Sequence, residues 1–215
     1  MAKVLIVGDS QAQGTPGSYA QRKFEAAGHT VQRISQHGCG PIDWSSDAVS
    51  AGCRTPGLWT RYTSKVASFR PDVIVLIYGS NDFGSRLDDA LRQMASRVSP
   101  PVWMSGPPMY PAEDRQRLGT TIRATNQEVF GDRWIDAWPH TPLSLPRDSL
   151  QAHLPGEAGR PWGEAIADQV MRGMAAGGAV RLPFGRSASP VAAVVTALLG
   201  TAALGVVVAL VMRRR

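Results

Sequence analysis

The chain has 215 residues, a hydrophobic fraction of 43% and a net charge of +6, enough for one sizeable α/β domain with an adequate core and little more. The charge does not mark a nucleic-acid binder. Five of the 23 basic residues (Arg181, Arg186, Arg213, Arg214 and Arg215) lie in an acid-free tail, which leaves 18 basic against 17 acidic residues in the rest, close to neutral. Two cysteines, Cys39 and Cys53, are too few for a disulfide scaffold or a zinc site. They are either one bridge, which implies an oxidising compartment, or two free thiols.

Taken in order, the chain opens on Lys3-Val4-Leu5-Ile6-Val7, a continuous apolar run of the kind buried in parallel sheets, and runs straight into Gly8-Asp9-Ser10. A serine at the carboxyl end of such a strand faces the crevice where open α/β folds hold their ligands. Two readings stand at this point: Ser10 is a nucleophile, or Asp9 and Ser10 cap the next helix. The Gly14-Thr15-Pro16-Gly17 loop leads to a helix over 18–27, and 30–34 forms a second strand. A polar excursion through residue 57 precedes a helix over 58–69, ended by Arg70-Pro71. Residues 73–78 give the strongest strand signal and end on Gly79-Ser80-Asn81-Asp82. A helix over 87–98, a short strand over 102–104, a helix over 113–129 and a fifth strand over 133–137 follow. The loop through Leu154 carries His140, Asp148 and His153, and a last helix spans 156–174. Strand and helix alternate five times, which predicts a three-layer α/β/α domain with a five-stranded parallel sheet.

The tail is separate. Residues 175–190 read as a Gly/Ala/Ser linker, and 191–212 is an uncharged 22-residue stretch ahead of the basic end 213–215. At 1.5 Å per residue that length crosses a bilayer core, so a C-terminal single-pass anchor is expected. With the first strand beginning by residue 3, no cleavable leader is expected. The simplest topology therefore keeps the domain cytoplasmic, although the terminal arginines pull the other way under the positive-inside rule.

Three strand ends and one C-terminal loop thus bring Ser10, the Gly38-Cys39-Gly40 turn, Asn81, Asp148 and His153 toward one edge of the sheet. Acyl transfer needs such a set: a hydroxyl, a histidine base, an orienting carboxylate and donors aimed at the developing oxyanion. On these blocks the chain resembles SGNH hydrolases, the GDSL esterase/lipase superfamily, over about residues 3–174. Gly8-Asp9-Ser10 resembles the first block and implies Ser10 as nucleophile. Gly40, with Gly38 second in line, resembles the glycine that lends an N–H to the oxyanion hole. Asn81 in Gly79-Ser80-Asn81-Asp82 resembles the asparagine that completes that hole together with the Ser10 N–H. His153-Leu154-Pro155-Gly156 resembles the last block.

The sequence departs from the family at one place. The resemblance puts the aspartate three residues before the histidine, where Leu150 stands, and Asp148 lies five before it. Either the loop is longer and Asp148 still orients His153, or a Ser–His dyad works with a backbone carbonyl. The resemblance implies a metal-free, cofactor-free serine esterase acting on small-molecule, glycan or lipid esters; the alternatives are an acyltransferase of the same fold and a catalytically weak, membrane-tethered binding module. Asp136 and His140 are read as structural, His37 as a surface residue beside the pocket, and Trp44 and Trp59 as core residues rather than cleft lining. Gly-x-Ser-x-Gly and P-loop motifs are absent.

In the expected membrane span, Ala193, Ala197, Thr201, Gly205 and Ala209 recur every fourth residue and form a face of small side chains, as in helices that pack closely in membranes. Self-association through this face predicts that crosslinking of the full-length chain in detergent yields a dimer that Gly205→Leu reduces; an unchanged dimer fraction counts against the face.

Overall fold

The computed structural model describes residues 1–48, 52–81 and 86–176. The expected linker beyond residue 176 and the expected span 191–212, with its self-association face, lie outside the described residues. Among the described residues no helix is long and apolar enough to cross a membrane.

Strand β1 (Lys3–Gly8) runs into a one-turn helix α1 (Ser10–Gln13) and then α2 (Thr15–Ala26). Helix α2 begins three residues earlier than the sequence predicts, because Pro16 occupies the first turn, where a missing N–H costs nothing. Strand β2 (Thr30–Ser35), the short α3 (Pro41–Trp44) and α4 (Leu58–Phe69) lead to β3 (Val73–Ile77). Helix α5 (Leu87–Ser96), β4 (Val102–Ser105), α6 (Glu113–Phe130), β5 (Trp134–Ile135) and α7 (Arg160–Ala175) complete the domain. Three 3-10 turns precede the last helix among the described residues, Gly131–Arg133, Trp138–His140 and Gly156–Gly159.

All five strands are parallel, in the order β2-β1-β3-β4-β5. The chain moves from β1 outward to β2 and then crosses to β3 on the other side of β1. The carboxyl ends of β1 and β3 therefore flank the point where the winding reverses, which is where such sheets open a crevice. Strand β3 is buried along its whole length, as its uninterrupted apolar sequence requires.

The side chains of each central strand divide between two cores. Leu5, Val7, Ile74, Leu76 and Met104 pack with Trp44, Leu58, Tyr62, Leu91 and Phe130 from α3 to α6. Val4, Ile6, Val75 and Ile77 pack on the other face with Phe24, Trp162, Ile166 and Val170 from α2 and α7. Trp44 is fully buried and Trp59, partly buried, packs against the same cluster, in keeping with core residues. A buried disulfide joins Cys39 to Cys53, which settles the two alternatives left by the sequence.

Two glycines let backbones approach. A Cβ on Gly8 would lie 1.9 Å from the Ile77 carbonyl oxygen, so the β1–β3 contact at the crevice leaves room for no side chain. On α7, a Cβ on Gly163 would meet the Pro16 carbonyl oxygen at 2.4 Å and Tyr19 Cβ at 2.6 Å. Gly163→Ala is therefore expected to force α2 and α7 apart and to lower stability by about 1–3 kcal/mol, read as a reduced Tm or denaturant midpoint. An unchanged midpoint would mean that the two helices are not in this contact.

Candidate active site

Asp9 directly follows β1 and is completely buried. Its Oδ1 accepts the Gln11 N–H (2.8 Å), which caps α1; its Oδ2 accepts the Gly79 N–H (2.8 Å) and the Asn81 side-chain amide (2.6 Å). Burial pushes this carboxyl up to about 6, against the lowering by the Gln11 and Gly79 N–H groups, the charge on His153 and the Asn81 amide. At neutral pH the ionised form predominates and holds all three donors. The capping reading of Gly8-Asp9-Ser10 thus applies to Asp9 alone.

Ser10, the first residue of α1, has its hydroxyl elsewhere. Ser10 Oγ lies 2.9 Å from His153 Nε2, and His153 Nδ1 lies 2.5 Å from Asp148 Oδ2. The two-residue displacement of the aspartate is absorbed locally. Asp148 Oδ1 accepts the N–H groups of Ala152 (2.9 Å) and His153 (3.1 Å), and the Asp148 N–H donates to the His153 carbonyl (3.1 Å). Gln151 takes a left-handed conformation (φ 55°) and donates its N–H to the Asp148 carbonyl. The longer loop curls around the carboxylate and returns His153 to it, leaving Leu150 65% exposed at the rim. Partial desolvation raises the Asp148 pKa, but the His153 ring and the Ala152 and His153 N–H groups outweigh it and hold the carboxyl at about 2.

The loop is tied to the first block as well. Gln11 Nε2 donates to the Ala152 carbonyl (2.9 Å) and the Thr15 hydroxyl to the Leu154 carbonyl. Residues 143 positions apart in sequence are therefore held together by contacts that flank His153 on both sides.

A cavity of about 340 Å³ opens over Ser10, with His37, Gly38, Asn81, Tyr110 and His153 on its wall. A second, of about 300 Å³, lies across Ser10 and His153 and is bounded by Pro16, Leu154 and Pro155. Gly40 is the site residue that the structure moves. Its N–H donates to Asp43 Oδ2 (3.0 Å) at the start of α3, and it lines neither cavity. Gly38, second in line from the sequence, lines the first cavity. The sequence offers two glycines two residues apart, and only the fold decides which amide α3 consumes.

The remaining candidates sort plainly. Asp136 pairs with Arg123 in two hydrogen bonds and accepts the Trp138 N–H, so it is structural. His140 ends a 3-10 turn and lines neither cavity. His37 sits closer to the chemistry than a surface reading implies: its ring is 5.9 Å from that of His153 and borders both cavities. Tyr110, Gln11, Arg115 and Leu118 also line the first cavity and drew no attention in the sequence. The signal for Tyr110 was its place in the loop after β4, at the same sheet edge as Ser10. Asp82 lies outside the described residues. Cys39, Asp43 and Cys53 are the one grouping of metal-ligating types among the described residues, but both sulfurs are consumed by the disulfide, leaving a metal one carboxylate.

No family model and no curated protein matches the sequence. Solved structures do match the fold. A carbohydrate acetylesterase family member from Sinorhizobium meliloti aligns with a TM-score of 0.61 at 17% identity, over 80% of this chain and 98% of that one. The M. smegmatis aryl esterase aligns with a TM-score of 0.61 at 15% identity, over 80% and 99%. The periplasmic domain of a Salmonella ser. Paratyphi A lipopolysaccharide acetyltransferase aligns with a TM-score of 0.56 at 13% identity, over 81% and 84%. The domain has the SGNH hydrolase fold.

Because the folded Asp148 carboxyl sits below its ordinary value near 4, its contribution to stability is complete above that value and is lost as pH falls toward about 2. The stability difference between the wild type and Asp148→Asn is therefore expected to shrink from pH 5 to pH 2 in denaturant titrations. A difference independent of pH over that range would show that the His153–Asp148 contact does not form.

Proposed function

We propose that this chain is a serine esterase that forms an acyl-enzyme on Ser10. The observation that carries the reading is the unbroken hydrogen-bonded line Ser10 Oγ–His153 Nε2 and His153 Nδ1–Asp148 Oδ2 on the wall of the cavity. His153 Nε2 takes the Ser10 proton as Oγ attacks the ester carbonyl, and Asp148 keeps the ring oriented and balances the imidazolium that forms. Asn81 spends one amide hydrogen on Asp9 and has the other for the oxyanion. The Ser10 N–H is the second donor. The third is assigned to Gly38 in place of Gly40, whose amide is engaged by Asp43. On collapse His153 protonates the leaving alcohol, and it then activates the water that releases the acid. These steps need protein groups alone.

The acetylesterase and aryl esterase among the structural neighbours support small acyl esters, including acetyl groups on carbohydrate, as the substrate class. The acetyltransferase neighbour keeps acyl transfer to a sugar or lipid hydroxyl as the second reading, which an acceptor-dependent product distinguishes. A displaced aspartate that failed to reach His153 would favour a binding module without turnover, and the contact between Asp148 and His153 speaks against that reading. The proposal keeps the 191–212 anchor. The Cys39–Cys53 bridge supports an oxidising compartment, and so the non-cytoplasmic face of the membrane, over the cytoplasmic expectation.

With p-nitrophenyl acetate and the full-length chain, Ser10→Ala is expected to lower kcat by at least about 1000-fold and Asn81→Ala by about 100- to 1000-fold. Asp148→Asn is expected to lose about 10- to 1000-fold with KM little changed. Near-wild-type turnover by Ser10→Ala would end the acyl-enzyme reading.

A further inference from the structure

Resting on the esterase reading, we propose that Arg115 selects esters that carry an anionic group, a carboxylate or a phosphate, on the part of the substrate that fills the first cavity. Arg115 stands in the first turn of α6 and lines the cavity together with Ser10 and His153. The two other groups on this wall that the triad and its support use are already hydrogen-bonded. Asp9 is fully buried with its oxygens turned to three N–H donors, and His153 is paired with Asp148. Arg115 is exposed and has no ion pair or hydrogen bond among the described residues. Among the described residues it is thus the one formally charged group on this wall without a hydrogen-bonding or ion-pair partner.

A second guanidinium, Arg147, lies behind Tyr110, which lines the same cavity. Asp9, Arg115 and Arg147 all act on the Tyr110 hydroxyl, Asp9 the most strongly and against the two arginines, and Asp148 acts on Arg147. Arg147 donates Nη2 to the Thr141 carbonyl (2.9 Å), while its Nε and Nη1 are buried without a partner. An anion in the cavity would meet a free fork of N–H donors on Arg115, the geometry that suits carboxylate and phosphate. The second cavity, which shares Ser10 and His153 with the first, is walled by Pro16, Leu154 and Pro155 and suits the uncharged remainder of the ester. The bland alternative is a solvated arginine at a rim, and it predicts no discrimination by substrate charge.

The test compares matched esters on the purified full-length chain. Mono-p-nitrophenyl succinate against p-nitrophenyl butyrate places the charge on the acyl side; O-acetylated galacturonate against O-acetylated galactose places it on the alcohol side. In at least one pair, kcat/KM for the anionic member is expected to exceed the neutral one by about 10- to 100-fold. That ratio should fall toward one in Arg115→Gln, invert in Arg115→Glu, survive in part in Arg115→Lys and shrink with added salt. A ratio near one in both pairs, or a ratio unmoved by Arg115→Gln, overturns the proposal while leaving the esterase reading intact. Should no ester turn over, the esterase reading falls, and calorimetric titration of the same esters into Ser10→Ala and Ser10→Ala/Arg115→Gln still decides: tighter anionic binding that the second substitution removes supports Arg115, and equal binding overturns it.

Discussion

The site depends on one buried carboxylate. Asp9 caps α1 with one oxygen and with the other pins both the Gly79 amide and the Asn81 side chain, so a single group fixes the turn that carries the serine and the turn that carries a candidate oxyanion donor. Two strands adjacent in the sheet but 70 residues apart in sequence are joined at their carboxyl ends by this group. A buried carboxylate is tolerated only when its lone pairs are used, and here three donors use them. Gly8 belongs to the same arrangement, because without its bare Cα β3 would not come close enough for Asp9 to reach across.

The second half of the machinery is delivered by a loop that organises itself. Asp148 accepts two backbone amides from the residues that lead into His153 before it meets the imidazole. The carboxylate therefore sets the loop conformation and the ring orientation together, and the spacing between aspartate and histidine matters less than the ability of the intervening turn to close. Gln151, in its left-handed conformation, closes it. Gln11 and Thr15 then fasten this loop to the first block, so the serine and the histidine are positioned against each other by three independent contacts.

The parts of the fold that were legible are those with strong local signals. The uninterrupted apolar runs of β1 and β3 announced buried parallel strands, and α4 begins and ends where the Gly57 and Arg70-Pro71 boundaries put it. Boundaries slipped where the signal was weak. Helix α2 starts at Thr15 because Pro16 opens rather than blocks it, and β5 contracts to two residues behind a 3-10 turn. At the site, Ser10, Asn81 and His153 were readable from their blocks. Gly38 and Gly40 were not separable, since the choice rests on which amide Asp43 engages through the first turn of α3.

By itself the sequence determined the order of strands and helices, the neutrality of the domain apart from its basic tail, and the residue types available for acyl chemistry, because these follow from hydrophobic periodicity and composition. Tertiary structure alone decided that Cys39 meets Cys53, that Asp148 rather than a backbone carbonyl faces His153, and that Tyr110 and Arg115 join Ser10 at one cavity. Such decisions rest on distances between groups far apart along the chain. They are fixed only when the sheet has brought its strand ends together and the loops have found partners for their polar groups.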